Sequence, residues 1–244
     1  MQLIWIIAKR ELLAYFATPI AYVFIVVFLL LSGFLTFYLG HFFSRGQADL
    51  LSFFTFHPWI YLFLIPALGM RLWSEERKSG SIELLLTLPV HVYQAVLGKY
   101  MASLLFTAFC LCLTFPMWIL VNYLGDPDNG VIMLSYGGSL LLAGAYLAIA
   151  SSVSAMTKNQ VIAFVISLMV CLFFVFSGFP TVLEIFQGWL PLPVLSLMSS
   201  FSFLSHFETI TKGVISLSDF FYFVSLTALW LFLNVQIVQS KKAS

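Results

Sequence analysis

Seven stretches of this chain hold no Asp, Glu, Lys or Arg: Leu12–Ser44, Leu50–Met70, Tyr100–Gly125, Asn129–Thr157, Asn159–Leu183, Ile185–Phe207 and Phe220–Ser240. Each is longer than the roughly 18 apolar residues that mark a candidate bilayer span. A soluble domain carries about 25% charged residues, and this chain carries 9%. So few charges do not cover the surface of a water-soluble globule. The first reading is therefore a polytopic membrane protein, and the net charge of +1 gives no case for a nucleic-acid partner.

Charge placement reduces seven candidates to six spans. With a cytoplasmic N-terminus and six crossings, Lys9, Arg10, Arg71, Arg77, Lys78, Lys99, Lys158, Lys241 and Lys242 lie inside, and only Arg45 and Lys212 lie outside. A seventh crossing would move Lys241 and Lys242 outside. The run Ile185–Phe207 is also the poorest helix, with Pro191, Pro193 and five serines. Prolines break the hydrogen-bond ladder, and in lipid the freed groups need other partners. Residues 180–218 are therefore expected to form an outer re-entrant segment.

The expected fold is an all-α integral membrane protein, one permeation domain over 1–244, with spans near 19–42, 55–73, 98–121, 134–156, 160–179 and 219–239. Both termini face the cytoplasm. Residues 1–18 are expected to form an interfacial helix. Trp5, Ala8, Leu12 and Tyr15 or Phe16 fall on one face, with Lys9, Arg10 and Glu11 off it. The small residues of the fourth span, Gly137-Gly138-Ser139 through Ser154, read as a close-packing face.

The sequence offers little chemistry. His41, His57, His91 and His206 form no metal-site spacing, and interfacial solvation at span edges accounts for them. Cys110, Cys112 and Cys171 sit in apolar runs without CxxC spacing. No P-loop occurs, because Gly98-Lys99 has Tyr93 where its first glycine would stand. No Asp or Glu lies at depth in the six spans, which argues against an intramembrane protease and an ion-coupled carrier. Neither catalytic nor metal-binding residues are assigned, and no cofactor is expected on this chain.

One segment stands apart. Trp73–Lys99 carries Glu75, Glu76, Arg77, Lys78 and Glu83 and then Leu84-Leu85-Leu86. A short helix is expected to start at Gly80 or Ser81, with Glu83 in its first turn, Ile82, Leu85 and Leu86 on one face, and Pro89 as its stop. Two turns are unstable alone. Their apolar face must dock on the membrane surface, on the rest of the chain or on another protein.

The stretch MRLWSEERKSGSIELLLTLPVHVYQAVLGKY resembles the signature loop of type-2 ABC transporter permeases. The matching positions are Met70, Arg71, Glu75, Glu76, Arg77, Gly80, Ser81, Glu83, Leu85, Leu86, Pro89, Val90, Gly98 and Lys99. Ser81 stands where threonine is commoner and keeps the hydroxyl. Within the family the chain looks most like small permeases of the gliding-motility and copper-maturation type. The resemblance implies a non-catalytic subunit of an ATP-driven exporter in a bacterial inner membrane. A second permease subunit, in a homodimer or heterodimer, and separate ATPase subunits would be its partners, with ATP and magnesium held by the ATPases. It also implies that 74–97 is a coupling loop whose Glu75, Glu76, Arg77, Gly80, Ser81, Ile82, Glu83, Leu85, Leu86 and Pro89 meet the ATPase. Its competitor is an ATPase-independent carrier or a scaffold subunit. The substrate stays open; elimination leans towards something apolar, lipid-linked or peptidic.

Overall fold

The computed structural model describes residues 2–82, 91–186, 191–214 and 216–240, and every regular element among them is helical. Helix α1 (Gln2–Phe16) ends at an elbow where Thr18 is extended before Pro19, as the residue before a proline prefers. Pro19 then opens α2 (Pro19–Phe34), since the first turn needs no N–H from it. A π turn over Leu35–Leu39 finishes this helix, its last bond running from Gly40 N–H to the Leu35 carbonyl at 2.7 Å. Short α3 (Leu51–Thr55) leads into α4 (His57–Gly69) and α5 (Arg71–Ser79). Met70, between α4 and α5, stays in the right-handed helical region, so the two form a nearly continuous rod.

After the insert come α6 (Val92–Cys112) and α7 (Phe115–Leu124), separated at Leu113 and Thr114, with Pro116 in the first turn of α7. The Asp128 carboxylate accepts from Gly130 and Val131 N–H to cap α8 (Asn129–Met156), and Asn159 caps α9 (Gln160–Phe176) in the same way. Three short helices follow, α10 (Pro180–Phe186), α11 (Leu192–Ser200) and α12 (Phe203–Thr211), before the closing α13 (Leu217–Ser240).

Among the described residues, four helical stretches are long and apolar enough to cross a membrane: Pro19–Leu39, Val92–Leu124, Asn129–Met156 and Leu217–Ser240. Helix α9 is apolar and 17 residues long. Helix α4 has 13 residues and continues through Met70 into α5. The proline- and serine-rich run is divided between α11 and α12, of nine residues each, neither long enough to cross. Its serines turn inward on their own backbone, Ser196 donating to the Pro193 carbonyl and Ser199 and Ser200 to that of Ser196.

Helix α8 is the axis of the bundle and packs against α4, α5, α6, α9, α12 and α13. In lipid there is little hydrophobic drive between helices, so close packing and interhelical hydrogen bonds decide the arrangement. The small residues of α8 supply both, and they do so within the chain. A Cβ on Gly69 of α4 would lie 2.4 Å from the Ala150 Cβ, so only glycine lets α4 approach here.

Two histidines correct the expectation of interfacial solvation. His57 is fully buried. Helix α3 folds over it, bringing Phe53 and Phe54 to ring-centroid distances of 4.5 and 5.2 Å. Its Nδ1 lies 2.6 Å from the Ser139 hydroxyl, which also meets the Tyr61 hydroxyl at 2.7 Å. His206 lies between two acceptors, the Asp219 carboxylate at 2.6 Å from Nδ1 and the Ser200 carbonyl at 3.0 Å from Nε2. Asp219 is itself buried in the first turn of α13. A span edge covered by its neighbours is not an aqueous site, and hydropathy along the chain carries no record of that cover.

Candidate functional site at the insert end

The bundle end that carries the charged insert is held by hydrogen bonds from one face of α8. Trp73 and Ser74, in the first turns of α5, point their N–H groups at the Ser154 hydroxyl at 3.1 and 3.0 Å. That hydroxyl donates to the Met70 carbonyl at 2.7 Å. Met70 has no side chain able to cap a helix, so Ser154 does this from another helix. One turn earlier on α8, the Ser151 hydroxyl accepts from Trp73 Nε1 at 3.2 Å and from the Asn234 amide of α13 at 2.7 Å. Ser152 donates to the Trp230 carbonyl at 2.7 Å. Arg77, in the last turn of α5, donates to the Ala155 carbonyl at 2.7 Å and so satisfies an orphan acceptor at the end of α8.

A second assembly joins α1, α5 and α6. Lys99 of α6 has a side chain only 3% exposed. Its ammonium lies 2.8 Å from Glu76 Oε1 of α5 and 3.4 Å from Glu11 Oε1 of α1, and 5.3 Å from the Trp73 ring centroid. Arg10 holds Glu11 from the exposed side at 2.7 Å. Burial alone would push the Glu11 carboxyl up; Lys99 and Arg10 outweigh that and hold it below its ordinary 4.5. A cleft of about 270 Å³ opens beside this node, between the α1–α2 elbow and the α4–α5 rod, lined among others by Tyr15, Thr18, Leu68, Arg71 and Glu75.

Gly98 brings α1 close enough for this contact. A Cβ there would lie 2.7 Å from Ile7 Cγ2 and 3.2 Å from the Ile4 carbonyl. The substitution Gly98→Leu is expected to lift α1 off α6, at a cost of about 1–3 kcal/mol for an overpacked contact. Limited proteolysis reads this directly. Cleavage within the first helix should accelerate in Gly98→Leu and change little in the control Gly33→Ser, where an added side chain meets no neighbour. Equal protection of α1 in Gly98→Leu and the native chain would contradict the packing assigned to Gly98.

The residues singled out from the sequence are distributed unevenly around this end. Glu75 is exposed and pairs with Arg71 one turn back, at 3.0 and 3.1 Å. Glu76 and Arg77 have partners within the chain, as described, and Lys78 is exposed. Gly80 ends α5 with φ of +76°, the left-handed conformation that favours glycine. Ser81 and Ile82 are helical again, and Ile82 packs on the local cluster of Leu72, Trp73, Ala95, Val96, Ala155 and Val238. Glu83, Leu85, Leu86 and Pro89 lie outside the described residues. On α1, Lys9 and Arg10 are exposed. On the same helix Trp5 is 59% exposed, and Glu11 is drawn towards the protein by Lys99.

Sequence reasoning read Lys99 only as a signature position and Ser151 and Ser154 only as packing residues, and it gave Asn234 no part. A signal did exist in two of them, since Ser151 and Ser154 are three apart and therefore share a helix face. Among the described residues no group of three or more His, Cys, Asp or Glu comes together. The arrangement is mechanical: a charged helix, α5, leaves the bundle end, and polar contacts tie it to α8, α6 and α1.

A family model described as "ABC-2 family transporter protein" matches residues 45–237. No curated protein matches the chain.

Proposed function

This chain belongs to the ABC-2 transporter family, and from that membership we propose that it is the six-span permease subunit of an ATP-driven exporter. It is a membrane transport subunit. In the proposed assembly it pairs with a second permease subunit, and separate ATPase subunits bind and hydrolyse ATP below the pair.

The observation that carries the reading is the rigid seating of α5. A coupling element has to receive a push outside the bundle and deliver it inside without bending. Helix α5 continues from α4, is capped by Ser154 and is joined through Glu76 to α6. The insert it leads into has α5 as one leg and α6 as the other. Closure of the ATPases on residues 80–91 would then shift α4 and α6 together, a rigid-body switch between two states. Leu85 and Leu86 supply the apolar key, and exposed Glu75 and Lys78 set its orientation on the partner.

Six crossings follow from α2, the α4–α5 rod, α6–α7, α8, α9 and α13. The excess of Lys and Arg at the insert end supports a cytoplasmic position for that end and for both termini. At 1.5 Å per residue α9 reaches about 26 Å, close to the hydrocarbon thickness of about 30 Å. A bacterial inner membrane is the proposed location. The test is co-purification in mild detergent. A P-loop ATPase should elute with the permease, and cysteine labelling should place Ser244 and Lys158 on the ATPase side. A permease that elutes alone, or Ser244 labelled from the opposite side, would count against the assignment.

A further inference from the structure

We infer that Lys99 is the positioning residue that makes both legs of the insert and helix α1 move as one body. The inference rests on the coupling role proposed for the insert and goes beyond it, because it names the part that shares the motion out. Glu76 lies one turn before the end of α5, and Lys99 lies two turns into α6, so their 2.8 Å ion pair closes the base of the insert. The apolar cluster of Leu72, Trp73, Ala95 and Val96 also packs the two legs together, and the ion pair adds a directional tie to that non-directional contact. Glu11 adds a third arm at 3.4 Å, and α1 continues through the Thr18 elbow into α2. A displacement of the insert therefore reaches α4, α6 and α2 at once.

The energetics favour a geometric role over a stabilising one. Lys99 is withdrawn from water, and the desolvation of a buried ion pair offsets much of its attraction. Apolar replacements of such pairs are often neutral for stability, so stability alone does not account for a buried lysine here. What the ammonium does that a methionine cannot is reach two carboxylates on two different helices. Among the described residues Glu76 Oε2 is buried without a hydrogen-bond partner, so the Glu76 carboxylate is held at this level through Oε1 and Lys99.

The test uses the full chain with its co-purified ATPase, and spin labels at exposed sites: Leu13 on α1, Lys78 on α5 and Met169 on α9. Distances are measured without nucleotide and after trapping with ATP, magnesium and vanadate. In the otherwise native chain the α1–α5 distance should stay narrow and constant while the α5–α9 distance shifts on trapping. Lys99→Met should give a second, longer α1–α5 population, already visible without nucleotide, while the complex still assembles. Lys99→Arg should restore the single population, which a filler of space alone does not do. Glu76→Gln gives an independent reading, with the same broadening on the α5 side. A narrow, unshifted α1–α5 distance in Lys99→Met would overturn the inference, as would failure of Lys99→Arg to restore it. If the α5–α9 distance ignores nucleotide in the native chain, it is the coupling reading that fails; the α1–α5 distance without nucleotide still decides whether Lys99 holds the helices together.

Discussion

Replacing Leu85 and Leu86 together by Asp is expected to abolish co-purification of the ATPase while leaving the permease inserted in the membrane at its normal level. Two buried leucines contribute about 1.5–3 kcal/mol each when an apolar groove covers them. Their loss alone weakens binding by roughly 100- to 10,000-fold. Two carboxylates placed in such a groove add a desolvation cost on top. Insertion should not change, because residues 80–91 lie outside the apolar stretches that cross the membrane. Lys78→Ala is the informative contrast. An exposed charge at a rim mainly affects association rate and salt dependence, so this variant should still capture the ATPase and do so with a weaker response to salt. Undiminished capture by the double Asp variant would remove Leu85 and Leu86 from the interface.

The second large effect is expected at Trp73. This side chain is fully buried, and it takes part in both assemblies at the insert end. It bonds Ser151 through Nε1 and Ser154 through its backbone, and its ring lies under Lys99. Trp73→Ala removes the ring and leaves a cavity at the base of α5, which typically costs about 3–5 kcal/mol. The lysine also loses a face worth about 0.5–2 kcal/mol. Thermal unfolding in detergent should drop strongly in Trp73→Ala. Trp73→Phe keeps most of the packing and loses one hydrogen bond, worth about 0.6 kcal/mol on average between membrane helices, so its midpoint should move only slightly. Equal midpoints for Trp73→Ala and the native chain would show that α5 is not seated by this residue.

Much of the bundle was legible because one physical rule dominates it. Charged groups are excluded from the bilayer, so the charge-free runs mark most of the helices, although the break before α7, next to Pro116, fell inside a run expected as one span. The charges of Glu75, Glu76, Arg77 and Lys78 marked the start of the insert but not its local structure: the helix runs on to Ser79 and stops where Gly80 turns left-handed. Five charges in nine residues are compatible with a helix when two of them have partners on other helices and two more pair with each other. Those partners are what the sequence concealed. Lys99 meets Glu11 across 88 positions, and Ser154 meets Met70 across 84. Nothing in spacing along one chain announces such a pair. Ile82 illustrates the same point in apolar form, expected on the docking face and found against the chain's own Trp73 and Val96.

The central claim is that this permease is driven through its insert by a separate ATPase. A photo-crosslinking amino acid at position 85, in the full chain in its native membrane, tests it most directly. The account predicts a light-dependent adduct with a P-loop ATPase that disappears in the presence of Leu86→Asp. Adducts formed only with lipid or with the permease itself would contradict it, and would favour a carrier or scaffold that works without an ATPase.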